Sequence, residues 1–179
     1  MVFTDKYKTV LQVIVERSFF LINKGENVQT FLPHIDFRKS AAVLDDKRLC
    51  KQITEAFQIL DTMDKIDSSG NFKADKVAWG HHPAVLMWLG NEMALKCYIT
   101  HCMREWVCFR GKNYKRNSPC VNICIEPDWL TEKFCIAHRS NLLRKDPEFY
   151  KKYNWNISHD LPYMWPVRWK NGQSTKGKA

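Results

Sequence analysis

The run PAVLMWLGNEMALKCYITHCMREWVCF, Pro83 to Phe109, restricts what this chain can become more than any other stretch. Its apolar residues, among them Val85, Leu86, Leu89, Met93, Tyr98, Ile99 and Trp106, nearly encircle a helical projection. A helix that is apolar all round must be covered all round. No part of the 179-residue chain offers the ~18 consecutive apolar residues of a membrane span, so the cover has to be protein. Pro83 suits a first helical turn and Gly111 a stop, which predicts one central helix from Pro83 to about Phe109.

Two more helices supply the cover. Ser40 is a plausible N-cap for a helix running to about Leu60. Within it, RLCKQITEAFQIL places Leu49, Ile53, Ala56, Phe57 and Leu60 on one face. Asp128 can cap a third helix, Trp129 to about Arg144, which Asp146-Pro147 ends. The stretches Asp61–Lys76 and Gly111–Pro127 read as loops, and QTFLPHIDF as an extended approach segment set by Pro33. The aromatic, Pro-punctuated stretch EFYKKYNWNISHDLPYMWPVRW reads as irregular chain over the helices. No strand alternation and no repeat is present. The expected architecture is all-α: a single compact domain of three main helices with long irregular loops over residues 29–166. Residues 1–28 form an N-terminal extension and 167–179 a basic disordered tail.

Charge points toward a polyanion, though less than the total implies. The formal net charge is +9 and the pI about 9.2. Residues 29–166 carry 20 Lys+Arg against 16 Asp+Glu, a net of +4, and the last 13 residues add another +4. Half of the excess therefore sits in the tail. The start of the chain has Glu16 and Arg17 inside its apolar run and no small-residue cleavage site, so it does not read as a secretory signal. The seven cysteines then suit a reducing intracellular compartment such as cytoplasm or nucleus, with most thiols buried. Cys50, Cys97, Cys102 and Cys108 lie on helices as apolar residues. Cys120-x3-Cys124 followed by Cys135-x2-His138 has the ligand types of a zinc site, but the spacing match is loose and no metal or other cofactor is expected.

The polar side of the first helix carries Arg48, Lys51, Gln52 and Glu55. One carboxylate among two cations and an amide can be an ordinary i, i+4 pair with Lys51, worth a few tenths of a kcal/mol. It can also be a catalytic group set among phosphate-binding side chains.

The runs QTFLPHIDFRKSAAVLDDKRLCKQITEAFQIL, WGHHPAVLMWLGNE, AHRSNLLRKDPEFY and LPYMWP resemble the pyrimidine-dimer DNA glycosylases, over roughly residues 29–166. The resemblance is faint to the phage endonuclease V type. Three landmarks keep their order: the Glu-bearing helix, a His opening the second helix, and a third helix leading into Tyr150-Lys151-Lys152-Tyr153. The resemblance implies the three-helix fold and a chemistry. In the phage enzymes an N-terminal Thr attacks C1′ of the damaged nucleotide with its α-amine. The resulting imine lets the base leave and the strand break by β-elimination. Glu55 matches the essential carboxylate, which would stabilise the cationic sugar and imine. Thr30 matches the family's first residue.

Here, however, Thr30 is preceded by other residues, so its nitrogen is an amide. The amine must come from cleavage before Thr30, from a folded-back Met1 or Val2, or from Lys51, one turn from Glu55. Catalysis can also be lost. The implied partner is double-stranded DNA, damaged or abasic. Its expected contacts are Arg48, Gln52, His82 (with His81 as competitor) and the basic cluster His138, Arg139, Arg144 and Lys145. Tyr163, Trp155 and Trp165 read as packing more readily than as stacking partners of a flipped base. The leading expectation is a DNA repair glycosylase with abasic-site lyase activity. The alternatives are a non-catalytic nucleic-acid-binding protein on the same fold and a zinc-stabilised interaction module. The oligomeric state is left open.

Overall fold

A computed structural model describes residues 30–66, 80, 82–121 and 123–166. The readings made for residues 1–28, for most of Asp61–Lys76, for His81 and for the basic tail lie outside the described residues. Within them the protein is all-α, with no β-strand. The helices are α1 (Phe37–Val43), α2 (Asp46–Met63), α3 (Pro83–Trp88), α4 (Glu92–Arg104), α5 (Glu132–Lys145) and α6 (Pro147–Tyr150). No helix among the described residues is long and apolar enough to cross a membrane.

The first expected helix is two. Asp36, not Ser40, caps α1 by accepting the Lys39 N–H at 3.0 Å. Leu44 is extended (φ −71°, ψ 142°), and Asp45 caps α2 by accepting the Arg48 N–H. Ser40 is instead buried inside α1, where its hydroxyl donates to the His34 carbonyl at 2.7 Å and accepts the His34 N–H at 2.9 Å. It fixes the approach segment rather than the helix.

The central helix is also broken. The chain leaves α3 at Leu89 and passes through Gly90 at φ +79°, a conformation that any side chain would strain. It then restarts at Asn91, and the Glu92 carboxylate accepts the Gly90 N–H at 3.1 Å. After α4 the helix widens into a π turn, Glu105–Phe109, closed by Arg110 N–H to the Glu105 carbonyl at 3.0 Å. Gly111, at φ +62°, ends it as expected. The third helix starts later than expected, because Thr131 rather than Asp128 accepts at its N-terminus.

α4 runs through the centre, packed on α1 and α2. Leu95, Cys97, Tyr98, Ile99 and Cys102 are fully buried on it, and Ala84–Trp88 of α3 are buried beside it. The apolar stripe of α2 is buried throughout: Leu49, Ile53, Ala56, Phe57 and Leu60, with Ile59 and Met63 added. Each fully buried Leu, Ile or Phe contributes about 1.5–3 kcal/mol. Ile53→Ala, at a fully buried position, would cost about 2–5 kcal/mol.

Arg110 closes the corner between these helices. Its guanidinium meets Asp46 Oδ1 at 2.8 Å and Glu105 Oε1 at 3.0 Å, and donates to the Leu44 carbonyl at 2.7 Å. Weaker bonds reach the carbonyls of Ala41 and Ala42. One planar fork thus satisfies the orphan carbonyls at the end of α1.

Candidate active site

Glu55 does not lie on a solvated face. It is only 4% exposed, and Gln52 on the same polar stripe is fully buried. The helix pattern hid this because the side chains that cover the stripe come from distant segments.

Four groups form a relay. The Phe31 N–H donates to Gln52 Oε1 at 2.5 Å, and Gln52 Nε2 donates to Glu55 Oε2 at 3.1 Å. The Tyr98 hydroxyl lies 2.8 Å from the Phe31 carbonyl oxygen and 3.1 Å from Gln52 Oε1. Lys51 Nζ reaches Glu55 Oε1 at 3.3 Å from the solvent side, its own side chain 60% exposed. Thr30, immediately before the relay, is fully buried, and its hydroxyl accepts from Trp88 Nε1 at 3.1 Å. Glu55 therefore has a buried amide on its inner side and an exposed ammonium on its outer side.

The start of the domain is held by a second bond, from the Leu32 N–H to His138 Nδ1 at 3.0 Å. His138 is 2% exposed and packed against Phe31 and Phe134. Burial pushes its pKa down to about 3, so the ring is neutral and its Nδ1 is an acceptor. Where a DNA contact at His138 was expected, the ring is instead buried and bonded to the backbone of Leu32. Gln52 is corrected in the same way: it positions Glu55 from beneath.

Arg48 has another role too. Its Nη1 lies 2.6 Å from Asp45 Oδ2 and 3.3 Å from Asp146 Oδ2, and its guanidinium stacks 5.5 Å from the Tyr150 ring centre. The Tyr150 hydroxyl donates to Asp45 Oδ2 at 2.6 Å. Arg48 thus clamps the start of α2 to the end of α5. Arg139 pairs with Glu132 within α5, with only 14% of its side chain exposed. His82 caps α3, its Nδ1 accepting the Ala84 N–H at 3.1 Å, with Trp165 edge-on.

Arg144 and Lys145 remain exposed at the end of α5. The Lys145 pKa is lowered by burial first, then by Arg48, Lys51 and Arg144, while Glu55 opposes. Glu55 is thus among the charges that Lys145 feels, and the weakest of those named. Lys51 is the cation in contact with the buried Glu55, while Arg144 bonds Asn141 Oδ1 and the Leu161 carbonyl and lies over the Tyr163 ring. Arg144 also borders an open cleft of about 710 Å³ with Lys151, Trp155 and His159. Glu55 does not line that cleft, so the cleft is not the reaction pocket. Trp155 stacks on Tyr150 and Tyr153, which is packing, as expected.

The zinc set considered from sequence is overturned: Cys135 is fully buried, His138 is bonded to Leu32, and Cys124 is bonded to Cys97. Cys108 is exposed rather than buried. Burial pushes the Cys102 and Cys135 thiols up to about 12, so neither is a nucleophile at neutral pH. Sequence reasoning missed Tyr98 and Trp88, whose only signal was two polar-tipped aromatics inside an apolar helix.

The described residues form a helical domain with a buried carboxylate, Glu55, bonded to a buried amide, Gln52. The chain belongs to the pyrimidine dimer DNA glycosylase family, whose model matches residues 28–122. That match covers α1 to α4 and the whole Gln52–Glu55–Lys51 constellation. It assigns the chain to DNA repair glycosylases at the level of the family, with DNA as the class of partner. No curated protein and no solved structure gives a significant match.

Proposed function

We propose that this chain is a DNA glycosylase with abasic-site lyase activity that works through an imine at Glu55. The observation that carries the reading is the relay from Phe31 through Gln52 to Glu55 and Lys51. It supports the reading because it links the segment just after Thr30, through Gln52, to the carboxylate that Lys51 also contacts.

In the intact chain Lys51 is the best-placed amine. The Thr30 nitrogen is an amide, whose lone pair is delocalised. Lys51 Nζ lies 3.3 Å from the Glu55 carboxylate, on the solvent side of it. The neutral amine attacks C1′, the bond from C1′ to the base breaks, and the base leaves with a proton; the C1′–O4′ bond then opens, O4′ takes a proton, and the nitrogen lone pair forms the imine. The imine that remains acidifies C2′–H. Loss of that proton expels the 3′ phosphate oxygen, and water then releases the amine. Glu55 stabilises the positive charge on the sugar and the imine, and Gln52 fixes its orientation. A chain cut before Thr30 would present an α-amine on the inner side of the same carboxylate. Arg144 and Lys145 would hold the strand through phosphates, as would Lys51 before it reacts.

Cleavage of a duplex with a single abasic site tests this. Glu55→Gln should lower the rate by about 10²–10³-fold while leaving the binding constant within a few fold. Equal cleavage by wild type and Glu55→Gln would overturn the assignment. Salt-dependent binding without cleavage by wild type would favour the non-catalytic DNA-binding reading, which the amide at Thr30 keeps in play.

A further inference from the structure

Away from Glu55, α4 meets the loop that follows it at a cluster that neither the family nor the proposed reaction uses. Cys97 and His101 lie four residues apart on one face of α4, and Cys124 comes from the loop. The three side chains offer ligand atoms that all lie within 4.8 Å of one another. Cys97 is fully buried, and the other two are half-buried. His101 Nε2 lies 3.6 Å from Cys124 Sγ, and His101 Nδ1 is buried with no hydrogen-bond partner among the described residues. An imidazole enclosed in this way is a ligand without a conventional partner.

The structure joins Cys97 to Cys124 as a disulfide, with Cα atoms 5.7 Å apart. A disulfide alone has no need of the imidazole. A tetrahedral zinc ion does: with Zn–S about 2.3 Å and Zn–N about 2.0–2.1 Å, neighbouring sulfur and nitrogen ligands lie about 3.5 Å apart. That is the separation between Cys124 and His101 already present.

We propose that in the reduced chain Cys97, His101 and Cys124 form a thiophilic metal site for zinc, with its fourth position open to water. Reduction by a dithiol transfers two electrons and two protons to the sulfurs, leaving two thiols and an oxidised dithiol. Zinc then displaces both thiol protons and binds two thiolates and the imidazole nitrogen. No fourth His, Cys, Asp or Glu ligand atom joins the cluster among the described residues, which is why the last position is assigned to water. The metal would staple the loop to α4. The loop is already seated there by Val121 N–H and Ser118 Oγ on Thr100 Oγ1, so the fold should persist without it.

Cobalt titration of the full-length chain, reduced with a dithiol under anaerobic conditions, tests the site. The expected result is one cobalt per chain with thiolate-to-cobalt charge-transfer absorption, and displacement by zinc. Cys124→Ser should abolish the absorption, and His101→Asn should weaken binding by at least about tenfold. Cys120→Ser should leave it unchanged, and circular dichroism should show each variant folded. No charge-transfer band from the reduced wild type would overturn the site, as would a band that survives Cys124→Ser. A Cys97–Cys124 bond that resists the dithiol would equally overturn it.

Discussion

Acid should weaken this fold through His138, and the size of the effect follows from its burial. The imidazole is enclosed by Phe31 and Phe134, accepts the Leu32 N–H, and has its pKa pushed by burial from 6.5 to about 3. In the unfolded chain it takes a proton near pH 6.5, and in the folded chain it does not. The folded pKa lies below the unfolded one, so the contribution is complete above about pH 6.5 and is lost as pH falls toward 3. One pKa unit is worth about 1.36 kcal/mol, so moving from pH 7.5 to 5 removes about 2 kcal/mol. By pH 3 the loss reaches about 4 kcal/mol, a large part of the whole stability of a small domain, about 5–15 kcal/mol. Urea unfolding midpoints at pH 7.5, 6, 5.5 and 5 measure it. The control is His138→Asn, whose amide oxygen keeps an acceptor for Leu32 but does not titrate. His34 and His101 also have lowered pKa values, from burial first, so their contribution is common to both proteins and cancels. The wild type should lose about 2 kcal/mol more than the variant. Parallel profiles would refute the role given to this ring.

Tyr150→Phe removes a hydroxyl bonded to the Asp45 carboxylate at 2.6 Å and should cost about 1.5–3 kcal/mol by thermal or urea unfolding. Arg110→Ala should cost about 2–3 kcal/mol, and Arg110→Lys should recover less than half of it, because an ammonium cannot span Asp46, Glu105 and the α1 carbonyls together. Lys145→Ala should weaken DNA binding and reduce the slope of log affinity against log salt by about 1, leaving unfolding stability nearly unchanged. Arg48→Ala should act oppositely, lowering stability through its lost pairs with Asp45 and Asp146.

What could be read in the sequence follows from where each signal resides. The stripe Leu49, Ile53, Ala56, Phe57 and Leu60 is local, so periodicity located α2 and its buried face. The apolar girdle of 83–109 located the centre, but the LGNE break was overrun: apolar residues on both sides of Gly90 look continuous in projection. Ser40 and Asp36 both suit a cap, and only the extended Leu44 shows why two helices form. The site was less legible. Glu55 and Lys51 were singled out as neighbours on one helix, which local spacing can show. The burial of Glu55 could not be read, because Gln52, which bonds it, is itself held by Phe31 and Tyr98 from separations of 21 and 46 residues. Charge also misled, since Arg48 and Arg139 look like phosphate ligands until Asp45, Asp146 and Glu132 are seen to occupy them.

Borohydride trapping on abasic-site DNA decides whether imine chemistry takes place beside Glu55. Full-length protein, Lys51→Ala and a chain that begins at Thr30 would be compared, with peptide mapping of any adduct. The expected result is a covalent protein–DNA adduct on Lys51 in the full-length chain, its loss in Lys51→Ala, and an adduct on the Thr30 amine in the chain that begins there. No adduct in any of the three, with DNA binding intact, would contradict it.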